Sequence, residues 1–330
     1  MDALIIGGTR NLGPSIAARL IEAGFRVTVF HRGFTLAPLP PGVDRIVGNR
    51  SREEDLRRVA GSGSFDVVVD TTLYDGRDAE AVARVLDGRV GRYLMIGTGQ
   101  VYLIRTGLER PFREDDYEGP VMTEPVSYSR DHEDWLYGAG KRAAEDALGQ
   151  AWRERGFPST VLRLPMVNSE RDHHHRIHGY LARLLDGGPV VAPAGSVLDL
   201  RHVYGDDVAR AVAVLARSGE GVGEAFNLSQ DETLPLDEFL ANLAAAAGTP
   251  LRIARVSRDV LEERGLLPRC SPFSGRWMSA LDNGKSKERL GLSYTPVAAY
   301  LPRIVDRLRA EWTAPPGYER RSEELALAAE

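Results

Sequence analysis

Cysteine is nearly missing from this chain: Cys270 is the only one in 330 residues. A disulfide framework is excluded, and a reducing, cytoplasmic setting is expected. With no base or ligand partner evident, Cys270 reads as a small buried hydrophobe. Lysine is scarce as well. Only Lys141, Lys285 and Lys287 occur among 42 basic residues, so a lysine inside a motif stands out. No apolar run approaches the length of a membrane span, and the first residues lead straight into a strand-like segment. Neither a spanning helix nor a secretory leader is expected. Excess positive charge is also lacking. A net charge of −5 gives no general attraction to nucleic acid. What is present is ordinary for a globular protein: 43% apolar and 27% charged residues, in a chain long enough for a large core and two lobes.

The order of segments is that of an α/β protein. Residues 3–6 form a short apolar run, followed by Gly7-Gly8-Thr9-Arg10-Asn11-Leu12-Gly13, a helical pattern over 16–23 and a second apolar run over 27–30. Pro14 suits a first helical turn, where its missing N–H costs nothing. Strand, glycine turn, helix and strand make a βαβ unit of the dinucleotide-binding kind. Gly7 lets the chain turn, Gly13 lets the helix pack close on the strand, and the helix N-terminus offers N–H groups to a pyrophosphate. Arg10 occupies the place of the middle glycine. Where an NAD site wants a carboxylate after the second strand, His31 and Arg32 occur, and no Asp or Glu lies between positions 27 and 41. Two guanidinium groups without an acid suit a 2′-phosphate, and so NADP.

The alternation continues with strands expected at 45–47, 65–70, 93–96 and 160–164, and helices at 53–59 and 78–86. After 93–96 come Gly97-Thr98-Gly99-Gln100-Val101-Tyr102, whose small residues bring Thr98 to the C-terminal edge of the sheet, the usual ligand edge. A loop-rich stretch over 103–134 reads as a lid or binding loop, with Asp115, Asp116 and Glu118 as solvated side chains. Next is a helix over 135–152, in which Tyr137 and Lys141 share one stripe with Ala144, Leu148 and Ala151. Neither polar group is cheap to bury without a purpose, and an ammonium beside a phenol lowers the phenol pKa. The bland alternative is a wet Lys141 paired with Glu145. Beyond Pro165 the rhythm breaks into a mixed lobe, with a strand expected over 198–204, helices over 206–216 and 236–247, and an end at Pro315-Pro316-Gly317 before a charged, helix-prone tail. His173, His174, His175 and His178 read as the polar rim of a cleft rather than metal ligands. Arg163, Arg176, Arg183, Arg201 and Arg276 are candidates to grip a phosphate.

Taken in order, GGTRNLG, TGQVY, YGAGKRAAE, VLRLPMV, HVYGDDVARA, EAFNLS and LDNGKSKERLGLSYTP resemble the extended short-chain dehydrogenase/reductases of the epimerase/dehydratase type, over about residues 1–310. The GGTR turn is similar to an atypical branch that includes RNA-binding chloroplast proteins. The resemblance implies a proton-transferring Tyr137, a Lys141 that holds the nicotinamide ribose and depresses the tyrosine pKa, and a Thr98 that hydrogen-bonds the reacting carbonyl. It also implies a cofactor lined by Gly7, Thr9, Arg10, Leu12, Gly13 and Arg32, with Thr72 and Pro165 near it. Gly99 and Gln100 replace the Asp-Glu pair of the family's 4,6-dehydratases, which disfavours dehydration.

The expected fold is a doubly wound parallel sheet of Rossmann type, from residues 1–165 and 200–228, with a smaller mixed α/β substrate lobe from 166–199 and 229–312 and a tail over 313–330. The expected activity is NADPH-dependent reduction of a ketone, or the reverse oxidation, on a medium-sized metabolite. A nucleotide-sugar epimerase and a non-catalytic RNA-binding protein are the alternatives. The expected partner is a small molecule, without nucleic acid or membrane, and a homodimer is allowed.

Overall fold

Residues 1–35, 38–195 and 197–329 are described by a computed structural model of the chain. The first half alternates as the sequence requires. β1 (Asp2–Ile6), α1 (Leu12–Glu22), β2 (Arg26–His31), β3 (Asp44–Val47), α2 (Glu53–Gly61), β4 (Val67–Asp70), α3 (Gly76–Val85) and β5 (Tyr93–Ile96) are followed by the short α4 (Gln100–Leu103), the long α5 (Arg130–Arg155) and β6 (Ser159–Arg163). The second half holds β7 (Val167–Asn168), α6 (Arg176–Leu185), β8 (Val190–Pro193), β9 (Val203–Tyr204), α7 (Gly205–Arg217), β10 (Ala225–Asn227), α8 (Leu236–Ala247), β11 (Ile253–Val256), α9 (Arg258–Glu263), α10 (Gly284–Leu290), α11 (Val297–Ala310) and α12 (Arg321–Ala329).

Seven strands make one parallel sheet in the order β3-β2-β1-β4-β5-β6-β10. Its apolar strands are buried on both sides, as parallel sheets demand. Alternate residues divide between two cores. Ile5, Val29, Val69 and Leu94 meet α1 and α7, while Leu4, Phe30, Val68, Tyr93 and Met95 meet α2, α3 and α5. This is the doubly wound α/β arrangement. The direction of winding reverses between β1 and β4, which opens a crevice at the C-terminal ends of those strands. A further apolar cluster joins α6, α8 and α11 through Tyr180, Leu181, Phe239, Leu243, Tyr300 and Ile304, with Phe273 edge-on to Phe239 at 5.2 Å.

Two expectations need correction. Helix α5 begins five residues before Trp135, because the Ser129 hydroxyl caps it by accepting from the His132 N–H at 3.1 Å. The strand expected over 198–204 shrinks to Val203–Tyr204. Leu200 instead trades two backbone hydrogen bonds with Leu234 in a single antiparallel bridge, which removes it from the ladder. The helix-prone tail does form a helix: past Pro315-Pro316-Gly317 the chain returns as α12, and it docks on the second lobe. Leu327 and Ala328 pack near Val191, Leu261 and Cys270, and the Glu324 carboxylate pairs with the fully buried Arg183 guanidinium.

That pair carries a testable consequence. Removing one partner of a buried ion pair leaves the other charge unsolvated, which costs about 3–5 kcal/mol. Glu324→Gln is therefore expected to lower unfolding stability by that amount in urea titrations. Loss of Glu323 from its partly exposed pair with Arg320 is expected to cost at most about 1 kcal/mol.

Candidate active site

The glycine turn sits at the crevice. Gly7, directly after β1, has φ of 89°, and its N–H donates to Phe30 O at 2.9 Å. A Cβ on Gly7 would strike the Thr71 hydroxyl. Gly8, which the spacing did not single out, also has positive φ, at 71°. A Cβ on Gly13 would run into the Gly8 carbonyl, so Gly13 admits the helix to the turn rather than to the strand itself. Helix α1 starts without a side-chain cap and without an acid in its first turn. The side-chain oxygen of Asn11 is turned instead toward Ser169, whose hydroxyl donates to it at 2.6 Å. Pro14 has no N–H and the Gly13 N–H is taken by the Arg10 carbonyl at 3.0 Å, so it is the uncapped, acid-free end of α1 at the crossover crevice, rather than a row of free N–H groups, that fits a dinucleotide pyrophosphate.

The other residues expected to line the cofactor are spread around this turn. Thr9 is partly buried, whereas Leu12 belongs to the core beneath α1. Arg10 is exposed and donates from Nε to the Thr35 hydroxyl at 3.2 Å, and Arg32 is exposed with its guanidinium 5.6 Å from the Phe34 ring. His31 between them is buried. Its Nδ1 accepts from the Gly33 N–H at 3.0 Å, and its Nε2 has no partner. Thr72 follows β4 and donates its N–H to the Asp70 carboxylate at 2.8 Å. Pro165 is buried just beyond β6, next to Leu164, whose carbonyl accepts from the Gly99 N–H at 2.7 Å.

Helix α5 brings the polar pair to the same edge. Lys141, Ala144, Leu148 and Ala151 are buried along the expected stripe. Two glycines that the sequence reading passed over make the approach possible. A Cβ on Gly138 would lie 2.8 Å from Ile104, and one on Gly140 would lie 2.6 Å from the Tyr74 carbonyl. The helix can therefore press against both α4 and the loop after β4. The Tyr137 phenol faces the Thr98 side chain, which acts to lower its pKa. Lys141, 2% exposed, donates from Nζ to Ile96 O at 2.9 Å. Its ammonium lies 4.7 Å from the centre of the Tyr74 ring and 6.0 Å from that of Tyr137, and the two rings are 6.3 Å apart.

The electrostatics differ from the expectation of a depressed tyrosine. Desolvation, with the Tyr74 phenol beside it, pushes Tyr137 up to about 12 against the opposing pull of the Thr98 side chain. The Lys141 ammonium lies nearer Tyr74 than Tyr137 and donates to a backbone carbonyl, and the Tyr137 side chain is still 41% exposed at the cleft. Burial lowers Lys141 to about 8, against the pull of Asp70 and Glu145 and with the push of Arg50. Glu145 is itself buried, not on the wet side of the helix. Its Oε2 receives two N–H donors of Arg163, at 2.8 and 2.9 Å.

The remaining candidates fall away from this centre or are already engaged. Arg163 pairs with Glu145, Arg176 with Asp172, Arg183 with Glu324 and Arg276 with Glu262, while Arg201 bonds Asn283 and Thr233. His173 and His174 lie against each other at 4.0 Å, and His178 is buried against Trp312. Among the described residues no three metal-binding side chains converge. In the 103–134 stretch it is Glu114, rather than Asp115, Asp116 or Glu118, that reaches inward, accepting from the Asn227 N–H at 2.7 Å. Two depressions at the opposite edge of the sheet, around Asp66 and Arg89 and around Glu53 and Arg84, hold none of these groups.

A parallel sheet with a glycine turn at its crossover point defines a nucleotide-binding α/β protein. A profile of the NAD dependent epimerase/dehydratase family matches residues 3–229, and the chain belongs to that family. Among curated proteins it is 26% identical over 303 residues to the 2'-dehydrokanamycin reductase of Streptomyces kanamyceticus, covering 89% of this chain and 80% of that protein. It is 24% identical over 262 residues to the chloroplast stem-loop binding protein of 41 kDa b of Arabidopsis thaliana, covering 75% of this chain but only 63% of that protein. Among solved structures it is similar to a UDP-glucose 4-epimerase from Thermotoga maritima, with a TM-score of 0.74, 20% identity and 95% and 100% of the two chains covered. A dTDP-glucose 4,6-dehydratase from Bacillus anthracis gives a TM-score of 0.74 at 15% identity, covering 96% and 99%. These structures share the fold. No helix among the described residues is long and apolar enough to cross a membrane.

Proposed function

We propose that this chain is an NADPH-dependent oxidoreductase that reduces a ketone on a medium-sized metabolite. The observation that carries the reading is Tyr137 facing Thr98 at the sheet's ligand edge, with the buried Lys141 ammonium 6.0 Å from the Tyr137 ring centre. A bound nicotinamide would supply the hydride that the carbonyl carbon accepts. The chain's own residues handle the oxygen. Thr98 holds it by a hydrogen bond, and Tyr137 gives it a proton. With its pKa raised to about 12, Tyr137 carries that proton at neutral pH, which suits a donor. The phenolate left behind forms within reach of the Lys141 ammonium, whose charge offsets it. Gly7, Thr9, Gly13 and the first turn of α1 would hold the pyrophosphate, and Lys141 the ribose.

Two observations favour reduction over the multistep chemistry of a nucleotide-sugar enzyme. Gln100, which has no titratable group, follows Gly99 where a 4,6-dehydratase would need its Asp-Glu pair, which argues against dehydration. Each arginine considered for a diphosphate already has a partner within the protein. The similarity to a 2'-dehydrokanamycin reductase points the same way. A nicotinamide assay with ketones and nucleotide-sugars separates the readings. Stoichiometric loss of NADPH with a ketone is expected, and Tyr137→Phe is expected to lower turnover by about 10²–10⁴-fold while cofactor binding survives. Sugar isomerisation without net cofactor loss would overturn the reading.

Preference for NADPH rests on exposed Arg10 and Arg32 at a corner without a nearby acid in sequence. At least about a tenfold tighter binding of NADPH than NADH is expected, on the order of 1.4 kcal/mol. Titration by calorimetry checks this. Equal affinities, or a preference unchanged in Arg32→Ala, would contradict it.

A further inference from the structure

Lys141 is buried in a group of charges that does not balance without it. On the neighbouring strand, Asp70 is fully buried at the end of β4 and pairs in register with Met95, one residue before the Ile96 whose carbonyl holds the Lys141 ammonium. Asp70, Tyr93 and Met95 share the face of the sheet that α5 covers. Three neighbours fix the Asp70 carboxylate: Arg50 donates at 2.9 Å, the Tyr93 hydroxyl at 2.8 Å and the Thr72 N–H at 2.8 Å. Arg50 also pairs with Asp78. One guanidinium thus serves two carboxylates, and the cluster carries one negative charge in excess until Lys141 is counted.

The other groups facing Lys141 are spoken for. Glu145, one turn further along α5, accepts two hydrogen bonds from Arg163. Tyr74 and Tyr137 present neutral rings, and Arg50 repels. We infer that Asp70 is a positioning residue of the active site, the carboxylate that keeps the buried Lys141 ammonium charged and seated at the sheet edge. A buried ammonium is otherwise driven to lose its proton. The consequence for turnover rests on the reductase reading, in which that ammonium offsets the Tyr137 phenolate. The electrostatic link itself does not.

The scarcity of lysine makes the test direct. With lysine carbon-13-labelled at Cε, three resonances titrate in the cofactor-free protein, each identified by its Lys→Arg variant. The Lys141 midpoint is expected near 8 in the parent chain. In Asp70→Asn it is expected to fall by roughly one pH unit or more, about a tenfold change in proton affinity. In Arg50→Gln, which removes the repelling charge, it is expected to rise. Lys285 and Lys287, which pair with Glu224 and Asp231 elsewhere, serve as internal controls and are expected to stay in place. An Asp70→Asn midpoint that is unchanged or raised would overturn the inference. Should that variant not fold, Arg50→Gln decides alone, and an unchanged or lowered midpoint there overturns it. Because no turnover is read, this result stands apart from the ketone assay.

Discussion

An ammonium placed in a protein interior loses several kcal/mol of hydration unless other groups replace the water. Lys141 lies in that position, and much of the surrounding structure is arranged to accommodate it. A backbone carbonyl at the end of β5 accepts a hydrogen bond from it, an aromatic face covers it, and carboxylates lie on β4 and α5. Those partners come from several elements, so the site can form only when sheet order, strand register and the seating of α5 are all correct. The demand is met by small residues. Gly138 and Gly140 bring α5 within contact of α4 and of the loop after β4, and Gly97 leaves room for Val161 of β6 beside the end of β5.

The same constraint links the two halves of the cleft. Gly99 has no room for a side chain because Ser279 lies against it, so the segment around Ser279 walls the edge where Thr98 and Tyr137 meet. Phe112 trades backbone hydrogen bonds with Ala280 and Asp282, both at 2.8 Å, which ties the stretch before α5 to that wall. The Trp277 indole N–H reaches the Asp131 carboxylate at 2.7 Å, near the start of α5. The long segment between α4 and α5 is therefore anchored structure, held further by Tyr117 between the Arg142 and Arg163 guanidinium groups.

Much of this was legible in the sequence because it is local. The YxxxK spacing, the glycine turn and the alternating segments are readable from residues within one or two turns of each other, and they led to the sheet, while it was the family resemblance that put Thr98 beside Tyr137. What escaped was long-range. Arg183 and Glu324 are 141 residues apart, so nothing in the tail's own composition announced that it docks. Glu145 looked solvated because its partner Arg163 belongs to the next strand. Asp70 read as an ordinary strand end and Arg50 drew no reading at all, because only the register of β4 and β5 sets them near Lys141. The direction of the Tyr137 shift was missed for a related reason. The four-residue spacing gives proximity on a helix face, but not the carbonyl that draws the ammonium away.

The central claim is that a neutral Tyr137 delivers the proton while a charged Lys141 offsets what remains. The pH dependence of kcat/KM for ketone reduction reports these groups in the free enzyme. Lys141, lowered to about 8, loses its proton long before Tyr137, raised to about 12. The rate is therefore expected to be level near neutrality and to fall as pH rises through about 8. A rate that instead climbs through that region, as a phenolate base would require, or that stays level to about two pH units higher, would contradict the account.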